Sequence, residues 1–194
     1  MHLLSSSLRA NRRRPLTLVW LFACLFAGLF SARRAQADVS SWVFVGGGAS
    51  HLQQAELSAR TVPSMRIHFG VGSDPSHPFV VGGLFSLEPH FGYGSDLSLS
   101  VRGATRGYVN GDFGIALDLG PYERFWGEHS VGGAGTFWLG APWGIALGAG
   151  ASLGSHEARS VSLILGVDFA RLTVYRTSGT SWFMNPFPAP GSAP

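Results

Sequence analysis

An all-β fold, an eight-stranded antiparallel up-and-down transmembrane β-barrel, is what this 194-residue sequence predicts. Three observations point there: an export signal at the start, apolar residues recurring with a period of two, and connections that alternate between longer and shorter. The signal comes first in the chain. Residues 1–15 carry Arg9, Arg12, Arg13 and Arg14, residues 16–30 read LTLVWLFACLFAGLF, and Ala35-Gln36-Ala37 offers small residues for cleavage. A basic start, a short apolar core and a small-residue site form a secretory signal peptide, and this core is short of the ~20 residues a spanning helix needs. Residues 1–37 are therefore expected to be removed, leaving residues 38–176 as the barrel and residues 177–194 as a Pro-rich tail.

Cleavage changes the charge. All basic residues are Arg, and six of the 14 leave with the signal, so eight face 11 acidic residues and the net charge becomes −3. The basic pI of about 9.6 belongs to the precursor, which removes the main argument for a nucleic-acid partner. Cys24, the single cysteine, lies in the signal as well. The exported domain can build neither a disulfide nor a thiolate metal site.

Alternation marks the strands. In residues 65–71, Met65, Ile67, Phe69 and Val71 alternate with Arg66, His68 and Gly70. Leu97, Leu99 and Val101 alternate with Ser98, Ser100 and Arg102; Phe113, Ile115, Leu117 and Leu119 with Gly114, Ala116 and Asp118. The same dyads run through 143–152 and 161–170, as in strands with two unlike faces. Less regular runs complete eight strands near 42–49, 64–72, 79–88, 96–106, 112–119, 130–140, 143–153 and 160–175. The odd-numbered connections come to about 14, 7, 10 and 6 residues and the even-numbered ones to about 6, 5 and 2. Loops on one side and tight turns on the other are the layout of an outer-membrane barrel. Val109-Asn110-Gly111 reads as one of the tight turns, since Asn-Gly supplies positive φ.

The non-apolar face decides which side meets water. It is mostly Gly, Ala and Ser with a few charges of both signs, which suits the narrow interior of an eight-stranded barrel better than a solvated sheet. A three-residue turn at 109–111 places Arg102 opposite Asp118. Arg66, Glu88, Arg106 and Asp168 fall on the same inner face, and burial demands that such charges pair. The set serves as structural pairing or, in a second reading, as a gate on a narrow polar passage into which some water enters. Trp42, Phe69, Phe79, Tyr108, Phe113, Phe137 and Trp143 all fall near turn ends of strands, as an interfacial aromatic girdle would.

This pattern is similar to the small eight-stranded outer-membrane β-barrels, the class of opacity-type surface proteins and of the membrane anchor of the major outer-membrane protein. The resemblance covers residues 41–176 and implies residence in outer-membrane lipid of a two-membrane bacterium, with the barrel-assembly machinery as a partner in biogenesis and no cofactor. One departure stands out: that class ends its last strand on a C-terminal Phe, whereas here the strand closes near Tyr175 and Thr177–Pro194 follows, with Trp182, Phe183 and Phe187 as interface anchors. The alternation also slips at Ala170-Arg171, where a β-bulge would return Leu172 and Val174 to the outside.

Chemistry finds little support. Ser155-His156-Glu157 and His129-Ser130 suggest a hydrolase, but neighbouring side chains diverge where a nucleophile and base must converge. Six mature histidines show no metal-ligand spacing, and Gly46-Gly47-Gly48 is followed by no Lys and no helix start. The reading is a non-catalytic integral barrel with a structural, surface-interaction or narrow-passage role. Loops near 50–63 and 120–129, with Tyr122, Arg124, Phe125 and Trp126, are the contact candidates for an unknown surface or periplasmic partner, since aromatics with Arg favour recognition. The alternatives are a membrane-embedded lipid A acyl hydrolase or transferase, and a soluble secreted barrel around an apolar ligand.

Overall fold

In a computed structural model, which describes residues 39–54, 57–125 and 129–173, eight antiparallel strands close on themselves in the order β1 to β8. They are β1 (Ser40–Gln54), β2 (Leu57–Gly72), β3 (Phe79–His90), β4 (Gly94–Thr105), β5 (Gly114–Phe125), β6 (Ser130–Gly140), β7 (Ile145–Gly154) and β8 (Arg159–Asp168). A short α1 (Arg106–Val109) joins β4 to β5, a 3₁₀ turn (Pro142–Gly144) joins β6 to β7, and α2 (Phe169–Thr173) follows β8. Closure runs through the β1–β8 ladder, from Phe44 opposite Asp168 to Gln53 opposite Arg159. The expected signal peptide, Cys24, Trp126, Val174 and the Pro-rich tail lie outside the described residues.

Apolar residues of the odd-numbered phase face outward, Leu117, Leu119, Leu139, Leu147, Leu163 and Leu165 among them, and Gly, Ser, Ala and the charges face the lumen. The strand lengths depart from the expectation. β1 and β2 continue through residues read as a loop, leaving only 55–56 between them, and β5 runs on to Phe125. The long connections therefore are not at the end away from the termini, here called the far end, where 91–93, 126–129 and 155–158 make the other links. At the terminal end, 73–78, 106–113 and 141–144 link the strands. Inward Ser50, Leu52 and Gln54 keep their alternation in β1, so polarity there marks the lumen face of a strand and not a loop.

The Asn-Gly turn takes an unexpected form with the expected register. Thr105 caps α1, its Oγ1 accepting from Tyr108 N at 3.4 Å, as N-cap hydroxyls do. Gly111 is left-handed at φ 80°, Gly111 N donates to Tyr108 O at 3.4 Å, and Asp112 N donates to Gly107 O at 2.9 Å. That is the glycine-terminated Schellman ending. Arg102 still lies opposite Asp118, but the helical turn carries Arg106 out of the lumen to an exposed position and Tyr108 inward. At the β2–β3 link, Ser76 N donates to Asp74 Oδ1 at 2.7 Å, and that bond holds the Asp74 carboxyl below its ordinary range.

The β8 bulge is replaced by α2. Asp168 caps this helix, its Oδ1 accepting from Ala170 N at 3.0 Å and Arg171 N at 3.2 Å, and Arg171 turns into the barrel floor, 1 % exposed. The opposite end carries a cost in the β7–β8 turn, where His156 and Glu157 hold φ of 57° and 55°. A left-handed non-glycine residue costs roughly 1–2 kcal/mol, and Asn-Gly is the pair that fits such a turn. The double replacement His156→Asn with Glu157→Gly is expected to raise stability by about 1–2 kcal/mol, read as a higher urea midpoint for the folded protein in detergent. An unchanged or lower midpoint would contradict the assigned strain.

Candidate functional site

The lumen divides into two halves. Its terminal half is built around Arg102, which is fully buried. Arg102 Nε and Nη2 donate to Asp118 Oδ1 and Oδ2 at 2.6 and 2.8 Å, the two-pronged pairing that suits a planar guanidinium. Three rings surround the same group: Trp42, Tyr108 and Trp138, with centroids 5.2, 5.6 and 5.6 Å away. Trp138 Nε1 also donates to Asp118 Oδ2 at 2.7 Å. Phe44 stacks on His68 at 4.8 Å, and Trp138 meets both edge-on.

Glycines make room for these rings. A Cβ on Gly72 would lie 2.5 Å from Trp42, one on Gly148 2.6 Å from Trp138, and one on Gly166 2.7 Å from Phe44. The small inner residues are thus sockets, and this half of the lumen is filled with side chains where the sequence suggested water. Arg171 completes the floor. Its guanidinium donates to the carbonyls of Tyr108, Ile145, Asp112 and Ala141 and sits 4.3 Å from the Tyr108 ring centroid.

The far half is polar and keeps a small open space. A cavity of about 30 Å³ is lined by Arg66, Glu88, Asp96, Tyr122 and several serines, room for water and little more. Arg66 pairs with Glu88 through Nε (2.8 Å to Oε2) and Nη2, and reaches across the lumen to Thr136 Oγ1 at 2.7 Å. Asp96 lies opposite both Glu88 and Arg124 in the ladders. It accepts from Arg124 Nε and Nη2 at 2.6 and 2.7 Å. Tyr93 and Tyr122 flank Arg124 at 5.6 and 5.8 Å.

These positions revise several assignments made from sequence. Trp42 and Tyr108 are lumen residues and no part of a girdle; Phe69, Phe79, Phe113, Phe137 and Trp143 are the exposed ones. Phe169, not singled out from sequence, is also exposed there. Tyr122 and Arg124 are buried inside the barrel and cannot serve as outer-loop contacts, and Phe125 ends β5 half-buried. Asp168 is buried on the inner face as a helix cap, also accepting from Val43 N at 3.3 Å. The Asp96–Arg124 pair was legible, because the register that sets Arg102 against Asp118 sets Asp96 against Arg124.

The hydrolase candidates are occupied in turn geometry. Ser155 Oγ accepts from Val131 N at 3.1 Å, Ser130 Oγ donates to Ser155 O at 3.1 Å, and exposed His129 lies 3.0 Å from Glu123. Among the described residues, no three His, Cys, Asp or Glu side chains gather as a metal site.

The buried pair yields a direct test. Arg102→Met or Asp118→Asn alone leaves a buried charge without its partner and is expected to cost about 3–5 kcal/mol. The double variant should cost clearly less than the two combined, by urea unfolding in detergent. Strict additivity would show that the pair is not coupled.

No family model matches the sequence, and no curated protein matches it. Among solved structures, the chain is similar to Ail, the attachment invasion locus protein of Yersinia pestis, in its crystal structure with the heparin analogue sucrose octasulfate. The match has 10 % identity and a TM-score of 0.42, over 68 % of this chain and 97 % of that one. Likeness at that level assigns neither ligand nor activity.

Proposed function

We propose that this chain is an integral outer-membrane β-barrel that neither catalyses nor conducts, and that its role is structural and surface-directed. The observation that carries the reading is the outward face. On all eight strands it is apolar or small through the middle, and its ionisable members, His51, Glu123 and Arg159, sit exposed at the far ends. From Ile145 to Leu153 that band spans about 20 Å once strand tilt is removed, close to the ~25 Å of known barrels. Closure pairs every strand with two neighbours, the one sheet arrangement hydrocarbon tolerates. A soluble barrel around an apolar ligand requires the reverse placement of the same residues.

The filled terminal half supports the non-conducting part. Trp42, Phe44, Trp138 and Tyr108 are buried with Arg102 across the barrel, and an ion would have to displace that cluster.

Depth-dependent substitution tests membrane residence. Leu163→Arg, in mid-band, is expected to cost about 2–4 kcal/mol for the protein folded in lipid vesicles, and Val131→Arg, near the far end, about 0–1. Equal costs in urea titrations would count against a bilayer around this face. In planar bilayers the inserted protein should show no conductance steps; reproducible unitary steps would remove the sealed lumen.

A further inference from the structure

The outer wall of the barrel is not even. Across β5, β6 and β7, Leu119, Gly135 and Ala151 face one another in the ladders, and in the next row toward the far end Pro121, Gly133 and Leu153 do the same. The two glycines put no side chain outward on β6, and a Cβ added at Gly133 would meet nothing within 4 Å. Leu119 and Leu153 stand exposed on either side. Leu119 leans over the floor, since a Cβ on Gly135 would lie 2.9 Å from its Cδ2. On β6 itself, exposed Val131 and Phe137 bound the two ends. The result is a groove of about 480 Å³ floored by Gly133, Gly135 and Ala151, within the ~300–1,000 Å³ of small-molecule sites.

Its surroundings dictate what fills it. A gap in a wall that faces hydrocarbon forfeits dispersion contacts, and water is absent there, so an acyl chain is the natural filling. The far mouth of the groove adds a charge. Arg159 lies opposite Leu153 in the β7–β8 ladder, which sets their Cβ atoms ~4.5–5.5 Å apart. It is exposed and has no ion-pair partner among the described residues. Glu123 is held by His129 at 3.0 Å, and Glu157, in the adjoining turn, forms no pair with Arg159. An apolar trough with a free guanidinium at its rim matches the order of tail and head in an acidic amphiphile.

We propose that this groove holds one acyl chain of an acidic membrane lipid whose head group pairs with Arg159. The site is continuous with the lipid-facing wall described above, and the inference deepens that reading and rests on it. A second copy of this chain is the poorer occupant. Two barrels joined through this wall in one membrane would set their Arg159 side chains at the same depth, where like charges repel.

The test uses the full-length folded chain in detergent micelles doped with phosphatidylglycerol or phosphatidylcholine. Native mass spectrometry counts the lipid retained once the micelle is stripped, and nuclear magnetic resonance records line broadening by phosphatidylglycerol with a nitroxide on its chain. One phosphatidylglycerol should stay with each barrel. The nitroxide should broaden the amides of Gly133, Gly135 and Ala151 more than that of Gly103, an exposed glycine on β4 with equally open surroundings. Gly133→Leu fills the groove without a clash and should lower retention about tenfold, whereas Gly103→Leu should leave it unchanged. Arg159→Gln should cut the preference for phosphatidylglycerol over phosphatidylcholine about fivefold, the worth of one arginine at an anionic lipid surface. Glycerol 3-phosphate, a head group without a chain, should not compete.

The proposal would be overturned by no retained lipid, by retention that survives Gly133→Leu or falls equally with Gly103→Leu, or by equal broadening at all four amides. An unchanged lipid preference in Arg159→Gln would refute the acidic head group. Lipid-free dimers would overturn the occupant in favour of a second copy. Vesicle insertion without retained lipid would remove this site and leave the membrane reading standing; retention by a protein that fails the depth-dependent substitution test would do the opposite.

Discussion

The guanidinium of Arg102 is the point on which the interior turns. A buried cation is tolerable only with a partner held in good geometry and its remaining donors accommodated. Asp118 supplies the partner from the adjacent strand, and Trp42, Tyr108 and Trp138 close around it. Each of those rings comes from a different part of the chain, so the arrangement exists only when β1, β4, β5, β6 and α1 are all in place. Ring size in turn dictates where glycines must sit, because Trp42 and Trp138 occupy volume that a Cβ on Gly72 or Gly148 would claim.

Charge pairing organises the far half by the same logic, with different consequences. Arg66, Glu88, Asp96 and Arg124 follow one another across β2, β3, β4 and β5, so that each carboxylate takes its arginine from the flank away from the other carboxylate. Serines line the opposite wall. The result is a polar interior with space for little beyond water, set above a floor fastened by Arg171. A barrel filled in this way is closer to a solid pin than to a pore.

The fold was legible where one face of a strand is mostly large and apolar and the other mostly small or polar. Residues 97–103, 113–119 and 161–167 meet that condition, and their phase, the register at 102 and 118, and closure all followed. Trp42 was misplaced because Trp42, Val43, Phe44 and Val45 are all apolar, so the sequence there carries no parity. Arg106 and Tyr108 were misplaced because alternation was extended through residues that form a helical turn. Tyr122 and Arg124 were assigned to a loop because the clear alternation stops at Leu119, just before Pro121. That proline points outward beside a stretch of the β4–β5 ladder that has no paired bridge between Ser98 and Val101, a place where a missing N–H is harmless. Arg171 was marked only by the slip in alternation at Ala170-Arg171; its four carbonyl acceptors come from distant turns that only the folded barrel brings together.

The in-register arginine–carboxylate pairs restrict how such a chain can change length over evolution. Deleting a single residue within β3 or β4 would invert the parity of everything beyond it, swinging Glu88, Asp96 or Arg102 toward the outer wall and their aliphatic neighbours toward the axis. Losses or gains of two residues preserve parity. Related sequences should therefore differ in these strands by even-numbered indels, while odd-numbered ones collect in the hairpin ends.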